Sequence, residues 1–186
     1  MARFQITEAP ISGIQVIVRK AVRDERGYLE VTNGFPDFKE VLPDYTVRQV
    51  SHSHAKVAGP VRELNLELPP NGKANIVTCR GGRSFDVVLE LWNDPPRTLQ
   101  WCGCELSKGD EKSLLTPPGC AHKVKAVEAN SERWYLHTAP LSPQSGAGLN
   151  PLSATIDIEL PILVSLWSPR DQNETSEPTP SKGVTR

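Results

Sequence analysis

The sequence predicts an all-β fold, a jelly roll or small barrel, on three observations. Pro and Gly, 17 and 13 of the 186 residues, punctuate the chain at short intervals. The segments between them alternate apolar and polar residues with period two rather than 3.6. Only residues 37–42 invite a short helix. Many short antiparallel strands with tight turns remove exposed sheet edges by packing as two sheets.

The elements follow in order. Strands are expected at 13–18 and 45–51, then at 61–68, where Leu64, Leu66 and Leu68 share one face and Glu63, Asn65 and Glu67 the other. Pro69-Pro70-Asn71-Gly72 ends that strand. A strand at 74–79 is followed by one at 85–92, with Phe85, Val87, Leu89 and Leu91 opposed to Asp86, Val88, Glu90 and Trp92. Two acidic groups on one face need partners if that face lies inside a barrel. Strands at 101–106, 123–128 and 133–137 complete the set. From Ser168 onward the only aliphatic residue is Val184, so residues 1–167 read as one domain and 168–186 as a disordered tail.

Composition narrows the function. A formal net charge of −1 without a long Lys/Arg run gives no electrostatic footprint for nucleic acid or an anionic membrane. No apolar run is long enough to span a bilayer and the first eight residues read as polar, so the expected compartment is the cytoplasm. The four cysteines form no paired zinc pattern and read as buried free thiols. His52-Ser53-His54 lacks a carboxylate at metal-ligand spacing, so neither a metal nor another cofactor is expected.

Pro117-x-Gly119-x-x-His122 matches the second half of the cupin signature, a turn that sets a histidine on the strand leaving it. The wider pattern resembles the dTDP-4-dehydrorhamnose 3,5-epimerase family. Asp24-Glu25-Arg26-Gly27-Tyr28 resembles its D-E-R-G-F, Gln49-Val50-Ser51-His52-Ser53 its Q-D-N-H-S, and Arg62-Glu63-Leu64-Asn65 its R-G-L-H. Phe85-Asp86-Val87-Val88-Leu89-Glu90 resembles F-D-V-A-V-D, and the spacing holds through Gln100-Trp101 and His122 to Tyr135. The likeness runs over roughly residues 10 to 165.

The resemblance implies a double-stranded β-helix (jelly roll, cupin-like), a homodimer, and a dTDP-linked 4-keto sugar as ligand. In such enzymes a histidine oriented by an aspartate removes the proton next to the ketone, a lysine stabilises the enolate oxygen, and a tyrosine returns a proton on the opposite face. Position by position, Arg26 and Arg62 resemble the diphosphate ligands, whose guanidinium forks suit phosphate oxygens. Gln49 resembles a polar substrate contact, His122 a pocket histidine, Tyr135 the proton donor, and Glu90 a further substrate-facing group. Arg26 and Arg62 are equally the residue types of surface ion pairs, and Tyr135 of half-buried packing.

The departures fall on the reaction. Asn65 stands at the base position, Asn75 at the lysine position, Asn150 at the orienting aspartate, and Leu141 where an aromatic ring stacks on thymine. An amide cannot take a proton from carbon near neutral pH, whereas an imidazole with a pKa of about 6.5 can. Three readings stay open: an epimerase-type enzyme with its base relocated to His122, His137 or Glu90; a nucleotide-sugar-binding protein without chemistry; and a repurposed cupin enzyme, a cyclase or lyase, on another small molecule. Strict alternation also puts Arg62 and Asn65 on opposite faces, so both can line one pocket only if the strand is bulged nearby.

Overall fold

A computed structural model describes residues 4–32, 46–61, 64–67, 71–91, 99–142, 146–150 and 153–167. Among these the regular elements are all strands: β1 (Phe4–Glu8), β2 (Gln15–Arg19), β3 (Val22–Asp24), β4 (Gly27–Leu29), β5 (Gln49–Ala55), β6 (Pro60–Val61), β7 (Leu64–Glu67), β8 (Asn75–Gly81), β9 (Arg83–Glu90), β10 (Trp101–Ser107), β11 (Lys112–Thr116), β12 (Cys120–Ala126), β13 (Ser131–His137), β14 (Gly146–Leu149) and β15 (Leu166–Trp167). The expected helix at 37–42, Arg62, Trp92 and the tail 168–186 lie outside the described residues.

Two sheets face each other. One has the order β1-β2-β11-β8-β13-β5, the other β10-β9-β12-β6-β15 with β7 joining β12 to β14, while β3 and β4 form a separate hairpin. Between the sheets lies a cluster drawn from both, with Val77, Cys79 and Leu114 from the first and Val88, Cys102, Leu106 and Cys120 from the second. All four cysteines are free thiols, three of them buried. Burial pushes Cys102 up to about 11 and Cys104 and Cys120 up to about 12, which leaves them protonated and inert.

Each sheet also buries its other face. Ile17, Ala74, Ile76, Leu115 and Leu136 pack behind the first. Behind the second, Leu64, Leu66, Val87, Leu89 and Ala121 pack against Ile156, Ile158 and Leu160 of the C-terminal segment. The alternation expected for residues 64–67 and 85–91 is therefore present: Leu64, Leu66, Phe85, Val87, Leu89 and Leu91 point to this outer layer, while Asp86, Val88 and Glu90 point inward.

The strand edges correct several expectations. β5 begins at Gln49 rather than 45, and β12 begins at Cys120 rather than 123. Of the strand expected at 61–68, β6 and β7 are described, and their pairings differ in register. Val61 pairs with Lys125 and Asn65 with His122, so four steps on one side oppose three on the other. β1, which read as polar, is an edge strand whose residues after Phe4 are exposed.

Buried ionic groups tie the outer parts to this frame. Glu30 Oε1 accepts from Arg19 Nε at 2.9 Å and from Arg80 Nη1 at 2.5 Å, with Arg19 and Glu30 almost fully buried. Arg19 also donates to Ser113 Oγ and, at 2.9 Å, to the Lys112 carbonyl. Lys125, fully buried, donates to the Ile162 carbonyl and holds the C-terminal segment against its sheet.

Candidate functional site

A cavity of about 920 Å³ is lined by residues of both sheets. Its lining brings together four residues singled out in the sequence, Asn65 on β7, Asn75 on β8, His122 on β12 and Tyr135 on β13. His122 is placed by the turn before it, where Gly119 takes φ +85°, a left-handed conformation that glycine adopts without a steric penalty. Register then fixes the neighbours, since His122 lies opposite Asn65 on one side and Val88 on the other.

The imidazole of His122 is bracketed by two polar groups. Asn75 Nδ2 stands 3.4 Å from Nδ1, and Asp86 Oδ1 stands 3.8 Å from Nε2. The second distance is that of an ion pair, too long for a hydrogen bond. Asp86 is fully buried, and this burial pushes its carboxyl above the usual range against the pull of His122 and the Arg133 guanidinium. The arrangement is a histidine backed by a carboxylate, with Nδ1 on the side of Asn75 and the cavity.

Tyr135 sits on the next sheet. Ser53 Oγ lies 3.4 Å from its hydroxyl and accepts from Arg133 Nε at 3.3 Å. Its ring stacks with that of His137, 2° from parallel and 6.0 Å between centroids. Ser53, Lys73, Glu67 and Arg133 are cavity residues that the sequence reading did not single out. Their only signal is register, as in the pairing of Arg133 with Ser53, and that is invisible in a single strand.

His137 is pushed down to about 4, mainly by burial and then by the charge of Lys73. An unfolded histidine titrates near 6.5. The unfolded chain therefore takes up a proton that the folded one refuses, and the stability contributed by neutral His137 is complete above pH 6.5 and lost as pH falls towards 4. The melting temperature of a His137→Gln protein is expected to fall less than that of the unchanged chain between pH 6.5 and 4. Equal slopes in circular-dichroism melts would show that His137 titrates normally.

The remaining expected residues lie elsewhere. Gln49 does not line the cavity but supports its rim, donating to Ser51 Oγ at 2.9 Å and accepting from the Leu141 N–H at 3.1 Å. Leu141 itself lines the cavity and is exposed. Asn150 follows β14 and is outside the lining. Glu90, expected to face a substrate, is instead 1% exposed and also outside the lining, because it sits deep on the inner face of β9 opposite Cys120. Arg26, expected as a phosphate ligand, is at the tip of the β3–β4 hairpin with its side chain 89% exposed and paired to Asp24 at 2.5 Å, away from its own chain's cavity.

A two-sheet jelly roll with a cavity lined from both sheets, holding a histidine backed by a carboxylate and a tyrosine on the facing sheet, defines a cupin-type site. The chain belongs to the dTDP-4-dehydrorhamnose 3,5-epimerase family, whose model matches residues 8–177. It is 28% identical over 167 residues to a dTDP-4-dehydrorhamnose 3,5-epimerase of Sinorhizobium fredii, covering 89% of this chain and 86% of the relative. Among solved structures it is similar to a dTDP-6-deoxy-D-glucose-3,5-epimerase of Legionella pneumophila in complex with dTDP-4-keto-L-rhamnose, with a TM-score of 0.85, 25% identity and coverage of 91% and 90%. A 4-keto-6-deoxy sugar epimerase from the novobiocin cluster of Streptomyces spheroides superposes with a TM-score of 0.86 at 27% identity, covering 92% of this chain and 86% of that one. No helix among the described residues is long and apolar enough to cross a membrane.

Proposed function

We propose that the chain binds a dTDP-linked 4-keto-6-deoxy sugar in this cavity and exchanges the proton on a carbon next to the ketone, with His122 as the base, Asp86 as its positioning residue and Tyr135 as the proton donor. The observation that carries the reading is the place of His122. It lies directly across the β7–β12 pairing from Asn65, so an imidazole is available one strand away from the position where the family resemblance expects one. Abstraction transfers the carbon-bound hydrogen to His122 and leaves an enolate. The Tyr135 hydroxyl then gives its proton to the same carbon, and the imidazolium and phenolate return to their starting states through solvent.

The reading includes a cytoplasmic homodimer in sugar-nucleotide metabolism. Arg26 can meet a diphosphate only in a cavity other than its own chain's, and the hairpin that carries it exposes Val22, Tyr28 and Leu29, apolar surface that a second copy would cover. The amides of Asn65 and Asn75 in the lining favour a second reading, a binding protein without chemistry.

Proton NMR with dTDP-4-keto-6-deoxyglucose in deuterated water separates the two. Loss of the C3 or C5 proton signal is the expected result. Line broadening without loss would mean binding alone, and neither effect would mean a different ligand.

A further inference from the structure

We propose that Lys73 supplies the positive charge at the ketone oxygen, replacing from two residues upstream the cation missing at Asn75, and that Glu67 holds its ammonium in the cavity wall. This rests on the proton-exchange reading above.

The backbone sets the direction. Ala74 and Ile76 are buried in the layer behind the first sheet, and the Ala74 backbone pairs with Thr138 in extension of the β8–β13 ladder. Alternation then sends Lys73 and Asn75 to the opposite, inner side, and both line the cavity. Lys73 Nζ is 2.7 Å from Glu67 Oε1, with 13% and 5% of the two side chains exposed. Glu67 Oε1 is also within 3.3 Å of the Ser142 N–H, while its buried Oε2 has no hydrogen-bond partner. The carboxylate is thus fixed, and the ammonium keeps further donors for a ligand.

The position is adjacent to the proposed chemistry. Lys73 acts electrostatically on His137, His137 pairs with Asn75 across β8 and β13, and Asn75 touches His122. Other cations of the lining are placed differently. Lys123 shares its strand face with Ala121 and Lys125, which pack behind the second sheet, and Arg133 donates to Ser53 and faces Asp86. Lys56 is exposed beyond the end of β5.

The chemistry needs such a group. As the C–H bond breaks, its electron pair forms the carbon–carbon double bond and the carbonyl π pair moves onto oxygen. An ammonium donating to that oxygen stabilises the enolate more than the ketone, and the charge returns to neutral when Tyr135 delivers its proton. A neutral amide at Asn75 cannot supply this charge alone.

The test measures two quantities on the full chain and on Lys73→Ala, Lys73→Met, Lys73→Arg and Glu67→Gln: deuterium exchange of dTDP-4-keto-6-deoxyglucose, and dTDP affinity by calorimetry. The alanine and methionine variants are expected to lose roughly 10²–10³-fold in exchange at saturation while dTDP affinity stays within about twofold, since dTDP has no ketone. Arginine should restore part of the loss, and Glu67→Gln should lower kcat with KM unchanged. Methionine keeps the packed stem if alanine disturbs the fold. Exchange in Lys73→Met equal to that of the unchanged chain overturns the proposal, as does a tenfold loss of dTDP affinity with unchanged saturated exchange, which would make Lys73 a phosphate ligand. An unchanged chain that shows no exchange overturns the underlying reading and the role of Lys73 together, and is seen before any variant is made.

Discussion

Replacing His122 by Gln is expected to lower deuterium exchange at the sugar by about 10²–10⁴-fold, the usual contribution of a general base, while dTDP still binds. The amide keeps the shape and a contact to Asn75 but cannot accept a proton. Asp86→Asn separates positioning from stability. With the carboxylate 3.8 Å from Nε2, its loss removes the charge that favours imidazolium formation, and exchange should drop by a factor within the same range. Stability should move the other way. Burial raises the Asp86 carboxyl above its unfolded value, so stability falls as pH rises from the unfolded carboxyl range to the folded pKa and stays lowered above it, and the amide variant escapes that cost. Its melting temperature should exceed that of the unchanged chain at pH 8, with the difference disappearing below the unfolded carboxyl range near pH 3.9. A variant that melts lower at pH 8 would show that the carboxylate is net stabilising through Arg133 and His122. Unchanged exchange in His122→Gln would place the base elsewhere.

The largest loss of stability is expected at Glu30. Removing it with alanine leaves Arg19, 2% exposed, and Arg80 facing each other without the carboxylate that contacts both, with only the weaker pull of Asp110 on Arg19 remaining. Breaking one partner out of a buried ion pair costs about 3–5 kcal/mol, because the remaining charge is desolvated and uncompensated. Arg19 retains Ser113 and the Lys112 carbonyl, neither of which carries a charge. Urea unfolding should show a lower midpoint with an unchanged slope, and Glu30→Gln should fall between. A loss under about 1 kcal/mol would mean that water replaces the carboxylate.

The parts of this molecule that could be read from sequence are those whose signal is local. Phe85–Leu91 and Leu64–Glu67 showed their two faces through alternation, and the Pro117–His122 spacing located the imidazole. β11 escaped because it lies between β2 and β8 with Ser113 to Thr116 all buried, which erases the alternation. Lys123 and Lys125, on the strand expected at 123–128, are 2% and 0% exposed, and the Ile162 carbonyl that receives Lys125 comes from a segment far along the chain, which no local pattern announces. In the site, Asn65, Asn75, His122 and Tyr135 came from the family resemblance. Lys73, Ser53 and Arg133 depend on which residue meets which across strands, and no single segment encodes that. Arg26 and Glu90 were legible as residue types but not as places, since one is carried outward on a hairpin and the other is drawn into the interior.

The register change between Val61 and Asn65 also bears on how the cavity can vary. Pro60 and Asn65 are an odd number of residues apart, yet both line it, which a regular strand forbids. The rim and the chemical centre are thus out of phase by one residue, and changes in length at this point can rewrite what the rim presents to a ligand while leaving the histidine and its neighbours in place.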